Sequence, residues 1–130
     1  MTTSTQTQTD LLTYVYNNTA PSWAGNTIHV ALHVADPGIL GTQTTSPATY
    51  TGYAQATLAP SSSNFSVLSG GVQSLVDIAF PQNTGTSQTI TFVSFGNGTQ
   101  IYHYGALSNG VVAPGVTPKI LAGSMTLTGI

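Results

Sequence analysis

From residue 27 onward, apolar residues recur at every second position in short runs, and clusters of Gly, Pro, Ser and Asn separate the runs. A period of two is that of a pleated strand with one buried face, whereas a helix needs 3.6. In "TIHVALHV", Ile28, Val30, Leu32 and Val34 fall on one face, with His29, Ala31 and His33 on the other. "ATYTGYAQATLA" reads as a second strand, with Gly52 a bulge or point of close approach. "VQSLVDIAF", "QTITFVSFG", "TQIYHYGAL" and "KILAGSMTLTGI" complete the set, with Ile90, Phe92 and, after a shift, Val93 and Phe95 packing inward. The breaks "DPG", "SSSN", "SGG", "PQNTGTS", "GNG", "SNG" and "APG" carry turn chemistry, because Gly and Asn tolerate positive φ and Pro fixes it. Six or more such strands predict an all-β fold: an antiparallel β-sandwich or jelly-roll-like barrel.

One short helix precedes the strands. In "TDLLTYVYNNTAP", Thr9 is placed to cap it, Asp10 lies in its first turn, Leu11 and Val15 share a face, and Pro21 lies beyond its end. Residues 1–9 are uncharged and Thr/Gln-rich without apolar periodicity, which predicts a flexible arm that a partner would order. Residues 10–130 then form a single β-sandwich domain, a size that buries roughly two thirds of its unfolded surface.

Charge sets the chemistry of the outside. Charged residues are 3% of the chain, against about a quarter in ordinary soluble domains. Thr, Ser, Asn and Gln must solvate the surface instead, and a net charge of -2 leaves little repulsion between molecules. Such a chain is expected to sit against other protein. Lys119 is its single Lys or Arg, so phosphate neutralisation has almost nothing to work with and direct nucleic-acid binding is not expected. There is no cysteine, which removes disulfides and thiolate chemistry. The start "MTTSTQTQTD" has neither a basic nor an apolar signal region, and no apolar run approaches the ~18 residues of a membrane span, so a soluble chain made in the cytoplasm is expected.

The candidate chemistry is sparse. On a helix, His29 and His33 would meet and could chelate zinc. On a strand, four positions separate them by about 13 Å, too far for one ion. No metal or cofactor is therefore expected, and His29 and His33 are left on the strand's second face, with the question open which neighbouring subunit, if any, covers them. His103 reads as packed or solvent-facing. Asp36, Pro37 and Gly38 form a turn in which the Asp36 carboxylate accepts backbone N–H bonds. Asp77, within an apolar run, must be hydrogen-bonded or point outward, with Lys119 its possible charged partner. The chain has three Asp and no Glu, Cys or Arg, and it lacks a nucleophile elbow, P-loop or dinucleotide fingerprint, so no catalytic residues are expected. The aromatic side chains Trp23, Tyr50, Tyr53, Tyr102 and Tyr104 are the candidate contact residues, as a sugar-stacking platform or protein hot spots, or equally as barrel core and rim.

The order "HVALHVADPGILGTQTTSPATYTGYAQATL", "DIAFPQNTG", "YHYGALS" and "GVTPKILAGSMTLT" resembles a family of small tailed-phage virion proteins labelled tail-fibre-like or capsid decoration proteins. The likeness covers about residues 10 to 130. Where related chains often have Arg after YTGYA, this one has Gln55. The resemblance implies a compact antiparallel β-sandwich with no catalytic residues to carry over, working as a structural component of the virion. It points first to a capsid decoration (cement) protein on the capsid surface. Such a protein is a homo-oligomer, dimer or trimer, that binds the major capsid protein, with the edge strand "GSMTLTGI" extending a neighbour's sheet. The alternative is a receptor- or glycan-binding module of a tail fibre or spike.

Overall fold

Strands do form within the period-two runs. The computed structural model describes residues 1–68, 71–108 and 110–128. Parts of three expected features, the turns "SGG" and "SNG" and the terminal "GSMTLTGI", lie outside the described residues. In chain order the elements are β1 (Thr2–Thr3), α1 (Thr5–Asn17), β2 (Ile28–His33), β3 (Ala56–Leu58), β4 (Phe65–Leu68), β5 (Gly71–Ser74), β6 (Ile78–Ala79), β7 (Gln88–Thr89), β8 (Phe92–Gly96), β9 (Ile101–Ala106), β10 (Val111–Val112), β11 (Lys119–Ile120) and β12 (Thr126–Thr128). The fold is nearly all-β, with one N-terminal helix.

A five-stranded sheet in the order β1-β9-β8-β2-β3 organises the molecule, and three smaller pieces, β12-β5-β4, β10-β7 and β11-β6, pack around it. Every pairing among the described residues is antiparallel. Register puts Val30 opposite Phe95 and Leu32 opposite Val93, so these four side chains share one face. Against them lie Ile78, Phe80, Ile90, Val112 and Ile120, from or beside the two-stranded pieces. Each fully buried side chain of this kind contributes about 1.5–3 kcal/mol, so this layer contact is the main source of stability.

Four expectations need correction. The second face of β2 is not left open, because Ala31 and His33 are as fully buried as Val30. Val34 is half exposed, since the strand ends at His33 and the chain turns away. "ATYTGYAQATLA" is a strand only at its end. Tyr53 N donates to Tyr50 O at 3.0 Å to close a turn, and Gly52 sits there at φ 97° with the Gln82 carbonyl so near that a Cβ would meet it at 2.8 Å. "VQSLVDIAF" breaks into β5 and β6, and the bond from Leu75 N to Asn64 O at 2.7 Å is the last in register with the β4–β5 pairing before the chain bends.

The N-terminal segment differs most. Residues 1–9 are built into the domain: Thr2 and Thr3 pair with Tyr104 and His103, and α1 starts at Thr5 under a Ser4 cap rather than a Thr9 one. Ser4 Oγ accepts from Thr7 N at 3.2 Å, and the Ser4 and Thr7 hydroxyls both donate to the Ile101 carbonyl. A run without apolar periodicity thus docks through hydroxyls, each satisfying a backbone group that burial would otherwise orphan. Asn18 ends the helix in the left-handed conformation, its N–H returning to Thr13 O.

Candidate functional site

Two polar clusters and two aromatic pairs hold His33, Asp10, Trp23, Tyr50, Tyr53 and Tyr102 of the side chains singled out above. The first cluster lies on the second face of the central sheet. His33 Nδ1 donates to Thr45 O at 2.8 Å, which fixes the tautomer, and Nε2 accepts from Ser94 Oγ at 2.7 Å. A serine hydroxyl on a histidine nitrogen is the geometry of an activated nucleophile. Here His33 and Ser94 are both 0% exposed, so the hydroxyl has no path to a carbonyl substrate, and the pair ties β2 to β8. Burial pushes the His33 imidazole below its ordinary pKa, and the Thr45 carbonyl partly offsets this.

Gln43 completes this cluster. Its amide nitrogen donates to His29 O at 3.0 Å and toward Ser94 at 3.3 Å, and its oxygen accepts from Gly98 N at 2.6 Å. A buried glutamine from a "TQTTS" loop therefore bridges β2, β8 and the following turn. Sequence reasoning missed it, as it missed Ser94 and Asn83. Asn83, also 0% exposed, donates to Thr86 O and Val112 O and accepts from Gly85 N. His29, half-buried, donates from Nδ1 to Gln55 Oε1 at 3.0 Å. The two histidines of the opening strand thus have separate partners. Among the described residues no group of three or more His, Cys, Asp or Glu side chains is placed to hold a metal ion.

The second cluster joins α1 to the sheet. Asp10 accepts from Gln6 Nε2 at 2.8 Å, Trp23 Nε1 at 2.7 Å and Gln100 Nε2 at 3.1 Å. Burial acts to raise its carboxyl pKa, but the three donors from Trp23, Gln100 and Gln6 outweigh it and hold the value low. Trp23 leans on Tyr102, with ring centroids 4.6 Å apart. The Tyr102 hydroxyl is buried without a hydrogen-bond partner among the described residues, and burial with the nearby Asp10 charge pushes it up to about 12.

The other aromatic candidates are also turned to internal use. Tyr50 and Tyr53 meet edge to face at 5.4 Å. Tyr50 donates to Pro81 O at 2.7 Å, and Tyr53 accepts at its hydroxyl from Leu32 N at 3.0 Å. Tyr104 is buried, and its hydroxyl bonds the Thr2 side chain. No continuous aromatic platform results: Tyr50, Tyr102 and Tyr104 are buried, and Trp23 and Tyr53 are partly so. Asp36 Oδ1 accepts from Gly38 N at 2.8 Å, with Gly38 at φ 79°. Asp77 points outward, 3.9 Å from Lys119 Nζ and accepting from Ala122 N at 2.9 Å.

Apolar side chains also stand at the polar, sparsely charged surface. A groove of about 470 Å³ opens between the central sheet and the β4–β5 hairpin, lined by Ile28, Phe65, Val67, Val72 and Phe95. Leu12, Val15 and Tyr16 stand out from α1. No helix among the described residues is long and apolar enough to cross a membrane.

Fold and surface together define a small antiparallel β protein whose polar candidates are tied into its own structure. No curated protein matches the chain. The family model described as podophage GP4 fiber I protein gp80 matches residues 2–128, and the chain belongs to that family. It is a bacteriophage structural protein of the fibre type.

Proposed function

We propose that the chain is an assembly subunit of a phage fibre, non-catalytic, joining virion proteins by surface contact rather than reading a receptor. The observation that carries this is the disposal of its functional groups. His33, Ser94, Gln43 and Asn83 are buried and hydrogen-bonded within the domain, while large apolar side chains stay exposed on a chain with four charged residues in all. Exposed apolar patches on an uncharged rim are the mark of protein interfaces. A receptor-reading module would keep its aromatics and amides accessible. Here Trp23 and Gln100 donate to Asp10, and the accessible tyrosines are Tyr14 and Tyr16 of α1.

Capsid decoration draws on the same surface and is the second reading. A cement protein needs neutral faces that pack on the major capsid protein, and this chain has them. The family description favours the fibre, and the two readings differ in place. Electron microscopy of particles made without this chain separates them. Missing or truncated fibres on intact heads are expected, whereas normal fibres on heads that lose heat tolerance would overturn the fibre reading in favour of decoration.

A further inference from the structure

The turn between β8 and β9 carries a chemically fragile dipeptide. Asn97 is followed by Gly98, and an asparagine before glycine deamidates readily because no side chain hinders the glycine nitrogen. In that reaction the Gly98 N–H loses its proton and the nitrogen attacks Asn97 Cγ. The N–Cγ bond forms, the Cγ–Nδ2 bond breaks, and ammonia leaves with the proton. Water then opens the cyclic imide to aspartate or isoaspartate. Asn97 and Gly98 are only half-buried, so water reaches the turn.

Half of this chemistry is set up. Asn97 Oδ1 accepts from Thr99 N at 3.0 Å and from Gln100 N at 2.8 Å. Two N–H donors on a carbonyl oxygen draw charge from its carbon and stabilise the oxyanion that attack would form. The other half is blocked. Gly98 N donates to Gln43 Oε1 at 2.6 Å, and a neutral amide oxygen accepts that bond without removing the proton. Gln43 is itself held from several sides. Its Nε2 donates to His29 O at 3.0 Å and to Ser94 O at 3.3 Å, its backbone N donates to Thr99 O at 2.7 Å, and the residue is 1% exposed. Carbonyls at one end of the side-chain amide and an N–H at the other allow it a single orientation. Gly96 makes the room, since a Cβ there would lie 2.8 Å from Gln43 Oε1.

We propose that Asn97 is a latent deamidation site and that Gln43 keeps it closed, by holding the Gly98 N–H away from hydroxide and other bases. Deprotonation then requires a local opening in which Gln43 leaves its buried place. The product would set a new carboxylate, or in isoaspartate an extra backbone atom, in the turn that registers β8 against β9. Gln43 thus preserves the central sheet of a particle protein over long storage. This role follows from the turn and not from the fibre reading.

Ageing the purified full chain in mildly alkaline buffer, with chymotryptic mass mapping, tests it. The rate at Asn97 is read separately from that at Asn109, the first residue of the chain's other Asn-Gly pair. A synthetic peptide of residues 96–100 supplies the unguarded rate. Asn97 of the wild type is expected to deamidate at least about tenfold more slowly than the peptide, and Gln43→Ala at least about tenfold faster than the wild type. Ser94→Ala removes a neighbouring bond of the same cluster but leaves Gln43 Oε1 on Gly98 N, so the wild-type rate is expected. A wild-type chain that deamidates at the peptide's rate would overturn the proposal, whether or not Gln43→Ala folds. So would an unchanged rate in a folded Gln43→Ala chain, or equal acceleration by Ser94→Ala, since general loosening of the cluster would then govern the reaction.

Discussion

His33 Nε2 and Ser94 Oγ lie 2.7 Å apart with both residues wholly buried, and this contact turns a suspected surface histidine into part of the core. Removing the hydroxyl leaves the imidazole nitrogen without a donor. Ser94→Ala is expected to cost about 1–3 kcal/mol, read as a lower urea midpoint at unchanged slope. An unchanged midpoint would mean that the bond contributes nothing to the fold.

The same histidine makes stability depend on pH. Its folded pKa is depressed below 6.5 by burial, so below about 6.5 the unfolded chain takes up a proton that the folded chain refuses, and stability falls with pH. At neutral pH both states are neutral and the effect vanishes. His33→Gln should flatten the urea midpoint between about pH 7 and pH 5. A wild-type slope retained in the variant would assign the dependence to another group.

Asp10 acts in a second, more acidic window. Its folded pKa is held below 3.8, so its contribution is present above that value and is lost as pH falls through the folded pKa. Trp23 is the sole tryptophan and donates to this carboxylate, so its fluorescence reports the contact directly. Asp10→Ala is expected to shift Trp23 emission at neutral pH, as the indole N–H loses its acceptor. Identical spectra would show the indole bond to be absent in solution.

The N-terminal segment should count toward stability. Ser4→Ala removes the helix cap and one tie to Ile101, with an expected loss of about 1–2 kcal/mol. Deleting residues 1–4 also removes β1 and should lower the thermal midpoint further. A truncated chain as stable as the full one would restore the picture of a free arm.

These tests fall where the sequence was least readable. Alternation located β2, β8 and β9 and the core face of Val30, Leu32, Val93 and Phe95, because each signal lies within a few residues of chain. It could not show that the loop carrying Gln43 and Thr45 folds back over the other face. That cover depends on Ser94, 51 residues from Gln43, and a lone buried amide leaves no periodic trace. The docking of residues 2–9 was hidden for a related reason, since hydroxyl-to-carbonyl ties have no apolar period. Among the aromatics, residue type marked Trp23 and the tyrosines as candidates, but only tertiary packing shows them paired as Trp23 with Tyr102 and Tyr50 with Tyr53.

A chain built into a fibre has a place and a number that purified virions reveal, by quantitative mass spectrometry with antibody labelling under the electron microscope. Label on the fibres and a count fixed by fibre number are expected. Label spread over the head with a count that tracks the coat protein, or absence from the particle, would contradict that placement.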